Sequence, residues 1–438
     1  MKMGELRQLD RSFGDEYVMM YPEEKMPREV TFIVTEACNL QCSYCYQHNK
    51  TARVMDYETA KKCVDTLFAE DARNSQYINP VDAPALILDF IGGEPLLQID
   101  LIDQIIDYFL SRAIALNHRW QTQYMISMST NGTLYFDDAV QRFLTKHDGR
   151  VSMSVTIDGN QRLHDTCRVY PDGRGSYAEA SAAFKDILTK YNQHGTKLTI
   201  APANLPYLYE AVVSMKAEFG ITELHANCVY EKGWELSDAR LMYDQLKQIA
   251  DWLLETGHYA DYAISLFDTE WYQPLSPNDD NNWCGGTGQM LAFGVDGVIY
   301  PCLRYAPASL GKDVKPLAVG DIRHGIEATP EEQATTQMLR AITRRSQSTD
   351  ECYNCPIARG CAWCSAYNYE VNGTPDKRAT FTCRMHRAQA LANVYYWNKL
   401  TRLLGSDERF PMRLPKENAL EIIDEKEYDM LAALATGD

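Results

Sequence analysis

The sequence predicts an α/β fold: six strand–helix units on a parallel sheet, followed by a cysteine-rich region of different texture. Three observations carry this expectation. Apolar, β-branched runs alternate with helix-period stretches up to about residue 260, and such alternation points to a parallel sheet covered by helices. Beyond that point short segments take over, with Gly, Pro, Asn and Asp frequent from Tyr272 to Gly288. Ten of the thirteen cysteines fall into two groups, one in each part: Cys38, Cys42 and Cys45, then Cys284, Cys302, Cys352, Cys355, Cys361, Cys364 and Cys383.

Strands are expected near 31–36, 86–91, 123–129, 151–157, 197–202 and 223–229, and helices near 57–72, 98–117, 136–147, 177–193, 206–219 and 237–256. The second helix has the clearest pattern, with Ile99, Ile102, Ile106, Phe109, Ala113 and Ile114 forming one apolar face. Six such units either close partway into a barrel or lie open and doubly wound. In barrels of this kind the chemistry sits at the carboxyl ends of the strands. Here those ends carry unusual residues: Cys38 after the first, Gly92-Gly93-Glu94-Pro95 after the second, Ser129-Thr130-Asn131-Gly132 after the third and Thr156-Ile157-Asp158-Gly159 after the fourth. A helix is expected after Cys383, since Ala388, Leu391, Val394, Tyr395 and Leu400 keep helical spacing. The tail, with nine acids against four bases, should hold a short amphipathic helix. The expected division is an N-terminal extension over 1–28, a barrel over 29–260, an auxiliary region over 261–404 and an acidic tail over 405–438.

At 438 residues the chain has the length of two to four domains. Its net charge of −17 disfavours a large nucleic-acid partner, whose phosphates it would repel. No apolar run reaches the ~18 residues of a membrane span, and no apolar signal core opens the sequence, so a cytoplasmic location is expected. An odd number of cysteines in a long chain of this kind fits metal binding better than a disulfide framework.

The Cys38-x3-Cys42-x2-Cys45 run can wrap three thiolates around one centre. Soft thiolates select zinc or iron–sulfur clusters. A [4Fe–4S] cube takes four ligands, so three cysteines leave one iron open to a substrate or cofactor. The other reading is structural zinc with a distant fourth ligand such as His48.

Cys38-Asn39-Leu40-Gln41-Cys42-Ser43-Tyr44-Cys45 resembles the signature of the radical S-adenosylmethionine (SAM) enzymes, including the aromatic Tyr44 before the third cysteine. Gly92, Gly93, Glu94 and Pro95 resemble the family's glycine motif, which holds the SAM amino group. Ser129 and Asn131 lie in a stretch similar to its third-strand motif. Thr156, where the family usually has Ser, and Arg168 lie in a stretch similar to the one that contacts SAM ribose and carboxylate. The resemblance implies that one electron from the cluster cleaves SAM and that the resulting 5′-deoxyadenosyl radical takes a hydrogen atom from the substrate.

The C-terminal cysteines resemble the SPASM domain of peptide-modifying radical SAM enzymes, which carries two auxiliary [4Fe–4S] clusters. The resemblance implies a first auxiliary cluster on Cys284, Cys302 and Cys364, and a second on Cys352, Cys355, Cys361 and Cys383, for three clusters in all. The spacing Cys361-x2-Cys364 is one residue shorter than the family's. Asp89–Pro95, Arg168–Tyr177 and Gly360–Cys364 are similar to maturases of peptides with Cys-x3 repeats. The implied function is formation of a thioether crosslink in a cysteine-containing precursor peptide, with reduced flavodoxin or ferredoxin as electron donor. About 30 residues before the first strand are too few for the leader-binding domain of many relatives, so recognition is expected at the barrel mouth, in the tail or on a separate protein. Sulfatase maturation, carbon–carbon crosslinking and epimerisation are the other radical outcomes. A zinc-bound structural module and a ferredoxin-like carrier are the readings from other classes.

Among the remaining residues, Cys167 is either a hydrogen donor to a substrate radical or a small loop residue. Asp89, Asp268 and Glu270 are candidate bases for a substrate thiol, or plain structural acids. His164 is expected to support its loop, Cys63 to fill the core, and Cys228 to face either cavity or core.

Overall fold

Strand β1 (Arg28–Thr35) is an almost unbroken apolar run with Val30, Phe32 and Val34 fully buried, as suits a strand covered on both faces. It takes the centre of the larger sheet. The computed structural model describes residues 27–437 apart from 70, 71, 73, 74, 76, 80, 81, 192–194 and 281–283. Nearly all of the expected N-terminal extension therefore lies outside the described residues.

From β1 the chain runs through α1 (Tyr57–Phe68), β2 (Leu86–Gly92), α2 (Ile99–Ala115), β3 (Tyr124–Thr130), α3 (Asp138–Lys146) and β4 (Val151–Val155). It continues through α4 (Gln161–Cys167), α5 (Tyr177–Tyr191), β5 (Gly195–Ile200), α6 (Leu208–Phe219), β6 (Glu223–Cys228) and α7 (Leu236–Thr256). The expected strands and helices all appear, with ends shifted by a few residues. Local chemistry sets several ends. Asp56 caps α1 by accepting from Thr59 N at 2.8 Å, and α6 and α7 stop at Gly220 and Gly257, both left-handed. On α2 the buried face is Ile102, Ile105, Ile106, Phe109 and Ala113, whereas Ile114 is 62% exposed. One residue past Ala113 is a turn of about 100° away from that face.

Strands β1 to β4 pair in chain order, all parallel, while β5 pairs parallel with β6 and β6 with the short β7 (Ala263–Ile264). Chain-order pairing belongs to a barrel wall rather than to a doubly wound sheet, whose order reverses at a switch point. Among the described residues no ladder joins β4 to β5, so the wall is split there. Residues alternate across it. Leu86, Leu88 and Phe90 are buried against the helices, while Ile87, Asp89 and Ile91 face the half-exposed inner side.

The larger sheet does not end with the barrel units. β8 (Leu291–Phe293) pairs parallel with β1 on its other side, followed by β9 (Val298–Tyr300), β10 (Gly320–Asp321) and β11 (Gly325–Ile326). The Phe32 ring lies 5.4 Å from Phe90 and 5.2 Å from Phe293, packing both neighbours of β1 together. The sheet is thus continuous across the expected boundary at residue 260. The rest is helical, with α8 (Pro330–Arg340), α9 (Ser365–Asn372), α10 (Cys383–Leu403) and α11 (Glu425–Thr436). Helix α10 is buried on nearly every side, packs on α7 and α11, and is pinned by Asn393 donating to Leu266 O and Asn398 to Phe410 O, both at 2.8 Å. No helix among the described residues is long and apolar enough to cross a membrane.

Candidate functional site

The loop after β1 carries Cys38, Cys42 and Cys45, and backbone hydrogen bonds tie it to two other loops. Gly93 N donates to Thr35 O and Glu94 N to Ala37 O, extending the β1–β2 pairing past the strand ends. A Cβ on Gly93 would lie 2.2 Å from Ala37 O and 2.8 Å from the Cys38 Cβ, so this approach requires glycine. On the far side Gln41 N donates to Val169 O and Ser43 N to Cys167 O. The cysteine loop is clamped between the glycine loop and the segment leaving α4. Cys42 lies within electrostatic reach of Cys45, and Cys38 of Cys42.

Glu94 joins the second and third loops. Its carboxylate is 1% exposed and accepts from Leu96 N, the Thr130 hydroxyl and Asn131 N at 3.1, 2.6 and 2.8 Å. Three of about four acceptor positions are used, which leaves one for an ammonium group. Asn131 in turn donates to Asn39 at 2.8 Å and stands 4.0 Å from Cys38 Sγ. Ser129 is exposed at the end of β3, and Thr156 N donates to Thr130 O.

A second network lies under Tyr44. Its hydroxyl donates to buried Asp158 and accepts from Arg168 at 2.8 Å. Burial holds the Tyr44 phenol well above its usual range, so it stays protonated. Asp158 also accepts from Thr199 N at 2.9 Å. Arg168 Nε is buried without a partner. His164 supports the loop as expected. It accepts from Asp158 N through Nδ1 at 3.2 Å, its Nε2 lies 3.0 Å from Ser176 Oγ, and Ser176 donates to Arg168 O. Burial holds this imidazole well below its usual pKa, so it is neutral.

The donor set suits a [4Fe–4S] cluster with SAM. Three thiols share eight residues, a spare acceptor position waits on Glu94, and an unpartnered guanidinium N–H suits a carboxylate.

The seven later cysteines lie in two neighbourhoods. Cys302 is within electrostatic reach of Cys364 and Cys284, while Cys383 is within reach of Cys361, Cys355 and Cys352. The first set abuts the first loop. Tyr46, next to Cys45, is within reach of Cys302 and Cys364, and Arg304 covers its ring at 4.4 Å while pairing with Glu231. Beside the second set lie buried Arg344 and Arg378. Arg344 donates to Ala358 O and Cys361 O, and Arg378 donates to Cys361 O and lies 3.2 Å from its Sγ. Neither pairs with a carboxylate among the described residues, and the charge of Arg378 works against that of Arg344. Sequence reasoning missed both, because only their place in the fold distinguishes them from surface arginines. Among the described residues no three or more His, Cys, Asp or Glu side chains stand close enough together to hold a metal ion, and His48 is exposed.

The other candidates separate. Cys167 is fully buried at the end of α4. Asp89 faces the inner side of the barrel wall and accepts from Thr31 at 3.2 Å. Asp268 lies beyond β7, accepting from Glu270 N, and Glu270 pairs with Arg359. Cys228 faces the core, 3.9 Å from Gln389 of α10, and Cys63 is core filler on α1.

Comparison with known proteins agrees with this geometry. Residues 32–200 match the family described as the radical SAM superfamily. An uncharacterised protein of Methanocaldococcus jannaschii is 33% identical over 53% of this chain and 72% of its own length. The serine-type anaerobic sulfatase-maturating enzyme of Klebsiella aerogenes is 29% identical over 42% of this chain, which spans only 43% of that relative. The structure described as native anSMEcpe with bound AdoMet and Kp18Cys peptide superposes with a TM-score of 0.59 at 17% identity, covering 86% of this chain and 98% of that one, a likeness of fold. The chain belongs to the radical SAM superfamily, among relatives that include a protein-modifying maturase.

Proposed function

We propose that this chain forms a thioether crosslink in a cysteine-containing precursor peptide, in the manner of maturases acting on Cys-x3 repeats, in the cytoplasm. Cys38, Cys42 and Cys45 hold the SAM-binding cluster. Gly92, Gly93, Glu94 and Pro95 receive the SAM amino end, Arg168 its carboxylate, and Tyr44, Ser129, Asn131 and Thr156 line its remaining contacts. When bound, the cluster and SAM supply a 5′-deoxyadenosyl radical that takes a hydrogen atom. In a SPASM-type region over 261–404, Cys284, Cys302 and Cys364 hold one auxiliary cluster and Cys352, Cys355, Cys361 and Cys383 another, with reduced flavodoxin or ferredoxin as electron donor.

The observation that carries this reading is the contact of the first auxiliary thiol set with the SAM-site loop through Tyr46 and Arg304. A substrate thiol held at that junction stands beside the radical site, and reaction within a held geometry is strongly favoured. Asp89, on the inner wall with its pKa raised by burial, is better placed than Asp268 to take the thiol proton. The buried Arg344 and Arg378 favour an anionic group at the second set.

Anaerobic incubation with a synthetic precursor peptide and SAM, followed by mass spectrometry, tests the proposal. The expected product has lost two hydrogens, keeps its sulfur, and has no alkylatable thiol at that cysteine. Replacement of the sulfur by an aldehyde oxygen would establish formylglycine chemistry instead, the second reading favoured by the sulfatase-maturating relative.

A further inference from the structure

The two later thiol sets differ in the charge built around them. At the first set Arg304 is within electrostatic reach of Cys302 and Cys364, and Glu231 balances its charge. Ser365 Oγ stands 3.2 Å from Cys284 Sγ. At the second set Arg344 is 1% exposed and donates to Ala358 O at 2.8 Å and to Cys361 O at 3.2 Å. Its Nε is buried without a partner, and Cys361 and Cys352 lie within its electrostatic reach. Arg378 is buried too. One of its terminal nitrogens lies 2.8 Å from Cys361 O, 3.0 Å from Ala362 O and 3.2 Å from Cys361 Sγ. Two guanidiniums thus converge on one cysteine, and among the described residues neither forms an ion pair. Asp279 acts on Arg344 from farther off and already accepts from Ser276 N at 2.7 Å. Arg387, within reach of Cys355 and Cys383, pairs with Glu421.

Buried charge of one sign is unfavourable unless an opposite charge meets it. A cluster held by four thiolates is anionic, and reduction adds a further negative charge. Positive charge and N–H donation to a ligand sulfur therefore favour the reduced form, which raises the reduction potential. Resting on the reading above of these thiols as cluster ligands, we propose that Arg344 and Arg378 set the reduction potential of the second auxiliary cluster. The pair makes that cluster easier to reduce than its four thiolates alone would.

The test is EPR of anaerobically reconstituted full-length protein poised at a series of potentials. Cys38, Cys42 and Cys45 are replaced with Ala, so that only the auxiliary clusters contribute. Further replacement of Cys284, Cys302 and Cys364 assigns the second cluster's signal. Arg378→Lys keeps the charge but loses the planar fork that reaches Cys361 O and Sγ together. It should lower the second potential by about tenfold in the one-electron equilibrium, or about 59 mV. Arg344→Gln removes a charge while keeping a donor for Ala358 O, and should move the potential in the same direction. In both variants the iron content and the first cluster's potential should stay unchanged. Full iron with an unmoved second potential in both would overturn the proposal, and so would an equal shift of both clusters. Loss of the second cluster's iron in both variants would make the arginines braces of the ligand loops and overturn it as well. A shift in one variant alone would overturn the role of the other arginine. The underlying reading fails separately: without iron at the second set before either substitution, these thiols are not cluster ligands.

Discussion

The two cysteine regions are built by opposite means. The first packs three thiols into eight consecutive residues, and the barrel holds them by backbone: Gly93 and Glu94 on one side, Cys167 and Val169 on the other. The second scatters seven thiols over 100 residues of short segments, gathered by side chains, above all the buried pair Arg344 and Arg378. A backbone-clamped loop presents its ligands in fixed directions and leaves one side open, as suits a cluster that must bind SAM. A region gathered by buried guanidiniums depends on its bound group to balance charge. The first should therefore be sensitive to steric change and the second to loss of positive charge.

The largest expected effect is on the first region alone. In Gly93→Ala the new methyl meets backbone of Ala37 that cannot yield, and overpacking costs about 1–3 kcal/mol. SAM cleavage should fall to background and about four irons should be lost, while the C-terminal region keeps about eight. The mirror test is Arg378→Met, which removes donors to Cys361 O, Cys361 Sγ and Ala362 O. About four irons should disappear from the second auxiliary set, with SAM cleavage without peptide retained. Loss of all iron in either variant would mean that the regions are not independent.

Glu94→Gln is intermediate. It replaces a carboxylate that accepts three hydrogen bonds with an amide that has one acceptor oxygen, leaving buried donors unsatisfied at about 1–3 kcal/mol. Both SAM affinity, by about tenfold, and urea stability should fall. Unchanged SAM affinity with lower stability would make Glu94 a loop brace only. The smallest effect comes from two buried histidines, one in each region. Burial lowers the pKa of His164 well below its usual value and that of His386 to about 4. Below the unfolded value near 6.5 the unfolded chain takes up protons that the fold refuses, so stability is complete above that pH and falls as pH drops toward 4. Urea unfolding at pH 6 should show each histidine costing about 0.8 kcal/mol relative to pH 7.5, and His386→Gln should remove its share.

The barrel half was largely legible in the sequence. Its strands and helices are long enough for period to show, and the four loops announce themselves by composition. Ile114 failed because periodicity locates a face to within a turn but not its edge. The role of β8 was not legible, since three residues carry no period, and its parallel pairing with β1 spans about 260 positions. The same holds for Arg344 and Arg378. Each is an ordinary residue by type, and only packing removes its partners. Cys284, Cys302 and Cys364 could be grouped in advance by resemblance, whereas their approach to Tyr46 and Cys45 depended on the fold.

The most direct test is an iron and acid-labile sulfide count on anaerobically reconstituted protein, in the wild type and two variants. Wild type should hold about twelve irons. Replacing Cys38, Cys42 and Cys45 with Ala should leave about eight and abolish SAM cleavage. Replacing Cys352, Cys355, Cys361 and Cys383 with Ala should also leave about eight, with SAM cleavage retained. A wild-type count near four, or stoichiometric zinc in place of iron in the C-terminal region, would contradict the account.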